Sequence, residues 1–210
     1  MEEFKQFDQI YEPDLRRTSS VTLNLKTNEI FRTRLEDLYN LVKNLDLDEN
    51  VPNEIRSHFQ IARNLFIYSW FFYPFSVTAQ FHALISIEYA LQTYYADRSP
   101  IVLSKGWKPK PFPGFKSLIK RALDDGRITD EGFSQTQMPR MASIANSNLR
   151  LNERPEVKKY CEVLVEALPI LRNDLAHGSS TLHDQGIDFL IIALEFINQL
   201  FSPITAASVK

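Results

Sequence analysis

The chain reads as an all-α protein, an up-and-down helical bundle with an N-terminal extension, and three observations predict it. Apolar residues recur at three- and four-residue steps in every long segment. Most prolines and glycines fall between those segments. Only one stretch, Val21 to Leu25, alternates as a strand does. The domain boundaries expected are 1–50 for an arm with one added helix and 51–205 for the main helical domain.

The first 27 residues carry Pro13, Arg16-Arg17 and a Thr-Ser-Ser run, and predict a loosely held arm. From Asn28, a capping residue, the period becomes helical through Ile30, Phe31, Leu35, Leu38, Val42 and Leu45. An acidic turn closes at Pro52, and Asn53 is the expected cap of the next helix, with Glu54 in its first turn. Aromatics crowd that helix's far end, from Phe66 to Phe75, and their expected role is core packing or a dimer interface. Pro74 should break the helix and Ser76 restart it. Val77 to Asp97 is apolar on most sides, the mark of a central helix. Four prolines between Pro100 and Gly114 forbid a helix there. Phe115 to Asp125 is a short helix that Gly126 can end in the left-handed conformation. A short helix or turn near Thr129 to Pro139 and an irregular stretch to Arg154 follow. Val157 to Ala176 is a long helix interrupted by Pro169, and Leu182 to Ser202 is the last.

Composition removes several function classes. Hydrophobic residues make up 44% and charged residues 24%, which excludes wholesale disorder. A net charge of −2 argues against a DNA-coating protein. The single cysteine, Cys161, can form neither an intrachain disulfide nor a thiolate metal cluster and reads as a small buried hydrophobe. The N-terminus has no secretory pattern, and the apolar stretches Leu65 to Phe75 and Ile187 to Phe201 are shorter than the roughly 20 residues a bilayer needs. A cytoplasmic protein is expected, with no membrane partner and no cofactor or metal. There is no glycine-rich phosphate loop, no His-Glu-x-x-His, no Gly-x-Ser-x-Gly and no internal repeat.

One run carries chemistry: Leu171-Arg172-Asn173-Asp174-Leu175-Ala176-His177-Gly178. On a helix, Asn173 and His177 share a face, and Asp174 can also reach His177. Arg172 sits about 140° round the helix from His177, though its long side chain can swing. Gly178 ends the helix, so His177 stands at the negative end of the dipole, which favours imidazolium by about 0.3–1 kcal/mol when exposed. The guanidinium can hold a phosphate by two hydrogen bonds and offset charge in a transition state. The imidazole can take a proton from a ribose 2′-hydroxyl. No other arginine in the chain precedes a histidine by five to seven positions.

With its arginine, following polar residue and histidine late in a set of helices, this run resembles the signature of the HEPN superfamily. The helix Phe81 to Leu91 is similar to a core helix of that family, and the likeness covers about Asn53 to Pro203. The resemblance implies a HEPN-like bundle and a metal-independent endoribonuclease of defence, toxin–antitoxin or RNA-processing systems. It implies a homodimer whose two motifs face one cleft, with Arg172 and His177 catalytic and Asn173 supporting. HEPN toxins controlled by a nucleotidyltransferase antitoxin often carry a tyrosine two positions after the histidine. Ser179 stands there in this chain, which departs from that control mechanism.

Around the motif, Asp174 and Glu88 are candidate supporting residues. Glu88 sits among apolar neighbours, so it either forms a plain ion pair with an arginine or orients the motif. Arg98 to Arg121 holds seven bases and no acid, with Trp107, Phe112 and Phe115 interleaved. Lys105, Lys108, Lys110, Lys116, Lys120 and Arg121 are therefore the candidate RNA contacts, lysines meeting phosphates and aromatics stacking on bases. The alternatives are a solvated loop pinned by its aromatics, a non-catalytic nucleotide- or protein-binding module, and a structural helical partner protein.

Overall fold

A helix that is apolar on most sides has to be covered on most sides. In the computed structural model, which describes residues 4–24, 29–96, 113–134, 138–146, 158–178 and 186–203, that helix is central. In chain order the helices are α1 (Leu15–Thr18), α2 (Leu35–Val42), α3 (Asn53–Tyr68), α4 (Phe75–Ala96), α5 (Phe115–Asp124), α6 (Met138–Ala145), α7 (Tyr160–Ala176) and α8 (Gly186–Phe201). α4 packs against α3, α8, α7 and α5. Its Ala83, Leu84, Ile87, Ala90 and Leu91 share one core with Phe59 of α3, Leu164 and Leu168 of α7, and Phe189 and Phe196 of α8. The protein is mostly helical, as its periodicity predicts.

The N-terminal region corrects the sequence reading twice. The helix expected from Asn28 begins only at Leu35. Before it, β2 (Glu29–Arg32) pairs antiparallel with β1 (Val21–Asn24), Val21 opposite Arg32 and Leu23 opposite Ile30. The strand read at Val21 thus finds a partner in residues whose apolar spacing fits either period. Helix then starts where Asp37 can accept from the Arg34 N–H at 2.8 Å, satisfying a donor of the first turn.

The arm is not loosely held at its middle. Asp14 caps α1 by accepting from the Arg16 N–H, and it also accepts from the Tyr73 N–H at 2.9 Å. Its own N–H donates to the Trp70 carbonyl at 2.8 Å. Arg17 reaches the Ser69 hydroxyl at 2.6 Å, and both Arg16 and Arg17 lie over the Tyr73 ring. These contacts clamp the arm onto the turn between α3 and α4. Within the aromatic cluster, Phe66 and Tyr73 are buried while Tyr68 is exposed.

Helix ends are closed by groups from distant segments. Arg63 of α3 donates to the Val42 and Lys43 carbonyls at the end of α2. Arg127 donates to the Leu200 and Ser202 carbonyls at the end of α8. Both place a cation on orphan carbonyls at the negative pole of a dipole. Asp130 accepts from the Tyr160 and Cys161 N–H groups, which starts α7. Gly126 ends α5 at φ +63, with Arg127 N–H bonded back to Ala122, as a left-handed cap requires. Gly186 is required by packing: a Cβ there would lie 2.7 Å from the Phe66 ring.

Smaller differences have local causes. Pro52, not Asn53, is the cap of α3, because its extended backbone leads into the helix while Asn53 turns its side chain to Arg56. Pro169 does not interrupt α7, which runs unbroken from Tyr160 to Ala176. Packing of its buried face on both sides of the proline outweighs one lost N–H. α6 forms within the stretch read as irregular and packs on α7.

Candidate functional site

The Arg172 motif closes α7, and its geometry follows from helix order. The last turn is intact: His177 N–H donates to the Asn173 carbonyl at 2.9 Å, and Gly178 turns away at φ +79. Gly178 ends the helix as its sequence position predicts, and His177 is exposed at the terminus.

Arg172 has a defined seat. Its Nε donates to Glu88 Oε2 at 3.0 Å and its Nη2 to Glu88 Oε1 at 3.3 Å, a two-pronged pair across α7 and α4. Its Nη1 donates to Asn173 Oδ1 at 3.2 Å. Three of the five N–H groups of a guanidinium are thereby used, and two remain for a ligand among the described residues. The Arg172 side chain is 36% exposed and that of Glu88 16%. Among the described residues, the guanidinium is held from the side of Glu88 and Asn173 only.

Three of the motif's expected participants therefore meet: Glu88, Arg172 and Asn173. The Asp174 and His177 side chains are exposed and hydrogen-bond to none of those three. The 140° between Arg172 and His177 on one helix is not closed within the chain. Arg172 turns to α4, while Asn173 and His177 share the neighbouring edge.

The basic segment is divided. Arg98, Lys105, Lys108 and Lys110, like Trp107, Phe112, Ser179 and His183, lie outside the described residues. Lys116 pairs with Glu166 of α7. Arg121 lies 4.2 Å from the centre of the Tyr95 ring and 3.6 Å from Asp125. Lys120 is exposed. Phe115 is buried and pins the start of α5 to the core, so this aromatic is structural. Cys161 is buried, and burial together with its Asp130 contact pushes its thiol pKa up, which leaves it an inert hydrophobe as expected.

Sequence reasoning passed over one feature beside Glu88. Tyr89, Gln92, Thr93 and Ala96 line an open hollow of about 220 Å³ on α4. The Tyr89 ring packs on the His58 ring of α3 at 5.1 Å between centres. Burial, and then the charge of nearby His58, push the His82 imidazole pKa below its usual value. A signal was present in the sequence: Tyr89, Gln92, Thr93 and Ala96 recur at three- and four-residue steps and so share one face of α4.

Among the described residues no group of three or more histidine, cysteine or carboxylate side chains could hold a metal ion, and no helix is long and apolar enough to cross a membrane. The fold and site thus define a mostly helical protein with an arginine–amide–histidine helix terminus braced by a carboxylate. Comparison with protein-family models, curated proteins and solved structures finds no match to the chain.

Proposed function

We propose that the protein is a metal-independent endoribonuclease of HEPN type, acting as a homodimer. The observation that carries this reading is the Arg172 seat. A guanidinium fixed by Glu88 and Asn173, with two N–H groups open among the described residues, is arranged to receive a phosphate oxygen. One turn further, an exposed histidine stands at the helix end.

In the reaction, His177 takes the proton of a ribose 2′-hydroxyl, and the oxygen attacks the adjacent phosphorus. The 5′-oxygen leaves and takes a proton from solvent, and a 2′,3′-cyclic phosphate remains. Arg172 offsets the charge that builds on the phosphoryl oxygens. Asn173 holds Arg172 and orients the phosphate. The 140° separation is the argument for two copies: a two-fold axis near the end of α7 sets His177 of each protomer across the cleft from Arg172 of the other. Defence, toxin–antitoxin control and RNA processing are the biological settings that fit.

The test is cleavage of RNA in the presence of a chelator, with the ends analysed. Wild type yields cyclic phosphate ends. Arg172→Ala and His177→Ala each lose on the order of 10²–10³ in rate while remaining folded. Mixing the two inactive variants restores part of the activity, because mixed dimers contain one intact site. Equal rates in all three proteins reject the reading. A second reading is favoured by one observation: Glu88 already neutralises Arg172 in part. In that case the protein is a non-catalytic HEPN-like module, and nucleotide binding without turnover, insensitive to His177→Ala, identifies it.

A further inference from the structure

We infer that the hollow on α4 is a nucleobase subsite, which reads the base beside the linkage held on Arg172. Its place relative to Arg172 rests on the ribonuclease reading above; its capacity to take a base does not.

Position is the first support. Glu88 fixes Arg172 to α4, and Gln92 lies one turn further along the same helix, about 6 Å at 1.5 Å per residue. That offset is on the scale of a single nucleotide. Tyr89, Gln92, Thr93 and Ala96 occupy the flank next to Glu88, so a strand with its phosphate on Arg172 has this flank under its neighbouring base.

Chemistry is the second support. At about 220 Å³ the hollow is below the roughly 300–1,000 Å³ of sites for drug-sized molecules, and it is open to solvent. It is shallow and suits one flat group laid against it from outside. Tyr89 supplies an aromatic face, held in place by the His58 ring. Gln92 carries both a donor and an acceptor, and Thr93 a hydroxyl that can serve as either. Ala96, exposed at the end of α4, adds little bulk. Stacking plus hydrogen bonds to a base edge is how unpaired RNA bases are recognised.

Third, Gln92 and Thr93 are only half-buried, so their polar ends can be reached from solvent. Among the described residues neither side chain has a hydrogen bond assigned to it, so both are open to a ligand.

The full-length protein, labelled with ¹⁵N, is titrated with the four nucleoside 5′-monophosphates and with ribose 5-phosphate. At least one nucleotide should shift the amide signals of residues 88–96 and bind about tenfold or more tightly than ribose 5-phosphate. Gln92→Leu and Thr93→Val, both close in size to the native side chains, should each remove most of that advantage and leave ribose 5-phosphate binding unchanged. In cleavage assays the same variants should alter the base preference beside the cut. Equal binding of ribose 5-phosphate and every nucleotide, shifts confined to other helices, or shifts explained by self-association would overturn the inference. Base binding without cleavage leaves the subsite standing and removes the nuclease. Cleavage without base preference does the reverse.

Discussion

Two arginine–carboxylate forks in this molecule use the same chemistry for opposite ends. At the arm, Asp14 accepts from Arg16 Nε and Nη2 and also from the Tyr73 and Arg16 backbone N–H groups. Burial alone would raise the Asp14 pKa, but these hydrogen bonds overcome it and hold the carboxyl at about 2, below the ordinary 3.8. Tyr73 covers the arginines with its ring, and Ser69 takes up Arg17. At the end of α7, Glu88 forks Arg172 through Nε and Nη2 in the same way, yet no ring covers the guanidinium among the described residues, and a third of the side chain meets solvent. The two arginines are exposed alike, Arg16 at 40% and Arg172 at 36%; the difference is the ring over Arg16 and the two backbone N–H groups on Asp14, which make that fork a fastening. A fork without them leaves a positioned cation for something else to bind.

The contrast can be broken most sharply at the arm. Asp14→Ala leaves the Tyr73 N–H without its acceptor and Arg16 without its partner, and should cost about 2–3 kcal/mol. At 2–4 °C per kcal/mol for a chain of this size, calorimetry should record a melting temperature lower by roughly 4–12 °C. RNA cleavage below that temperature should be unchanged. Loss of cleavage with an intact fold would erase the distinction between the two forks.

Acid supplies the next effect. A carboxyl whose pKa falls on folding contributes stability above its unfolded value and loses it as pH drops through the folded one. For Asp14 the window runs from 3.8 down to about 2. After allowance for the exposure of Arg16, the loss is about 1–2 kcal/mol, and denaturant titrations across that range should show it missing in Asp14→Asn.

Glu88→Gln should move a different readout. The amide can still accept one hydrogen bond from Arg172 but cannot fork it or balance its charge. A tenfold fall in kcat, about 1.4 kcal/mol, is expected, with KM for RNA unchanged or lower because a nearby negative charge is gone. The melting temperature should stay within 2–3 °C of wild type. A rise in KM with constant kcat would make Glu88 part of substrate binding instead of a positioning residue.

Smallest is Lys120→Ala. The side chain is exposed on α5, beside Lys116 and Arg121, which are paired within the chain. RNA binding should weaken about twofold at moderate salt, and the slope of log affinity against log salt should fall by roughly 0.7. An unchanged slope removes Lys120 from the RNA path.

Much of this molecule was legible from periodicity. The central place of α4, the glycine stops after α5 and α7, and the burial of Cys161 follow from patterns within one segment. So does the candidacy of Glu88, since a carboxylate among apolar residues needs a cation. The misreadings share a cause. Ile30 and Phe31 fit either period, and only the presence of β1 alongside decides between them. Asp14 and Arg17 look like arm residues until the α3–α4 turn presents Ser69, the Trp70 carbonyl and the Tyr73 N–H. Asp130 looks like a turn acid until α7 arrives with two free N–H groups.

Local pattern, then, determined where helices run and which residues carry chemistry, because side-chain period and backbone preference act over three or four residues. Which partner each cation meets was left to tertiary structure: Arg172 to the Glu88 carboxylate spans 84 positions and Arg17 to the Ser69 hydroxyl spans 52. Charges have no period, so a sequence shows that partners are needed, and only packing of the helices shows which ones come within reach.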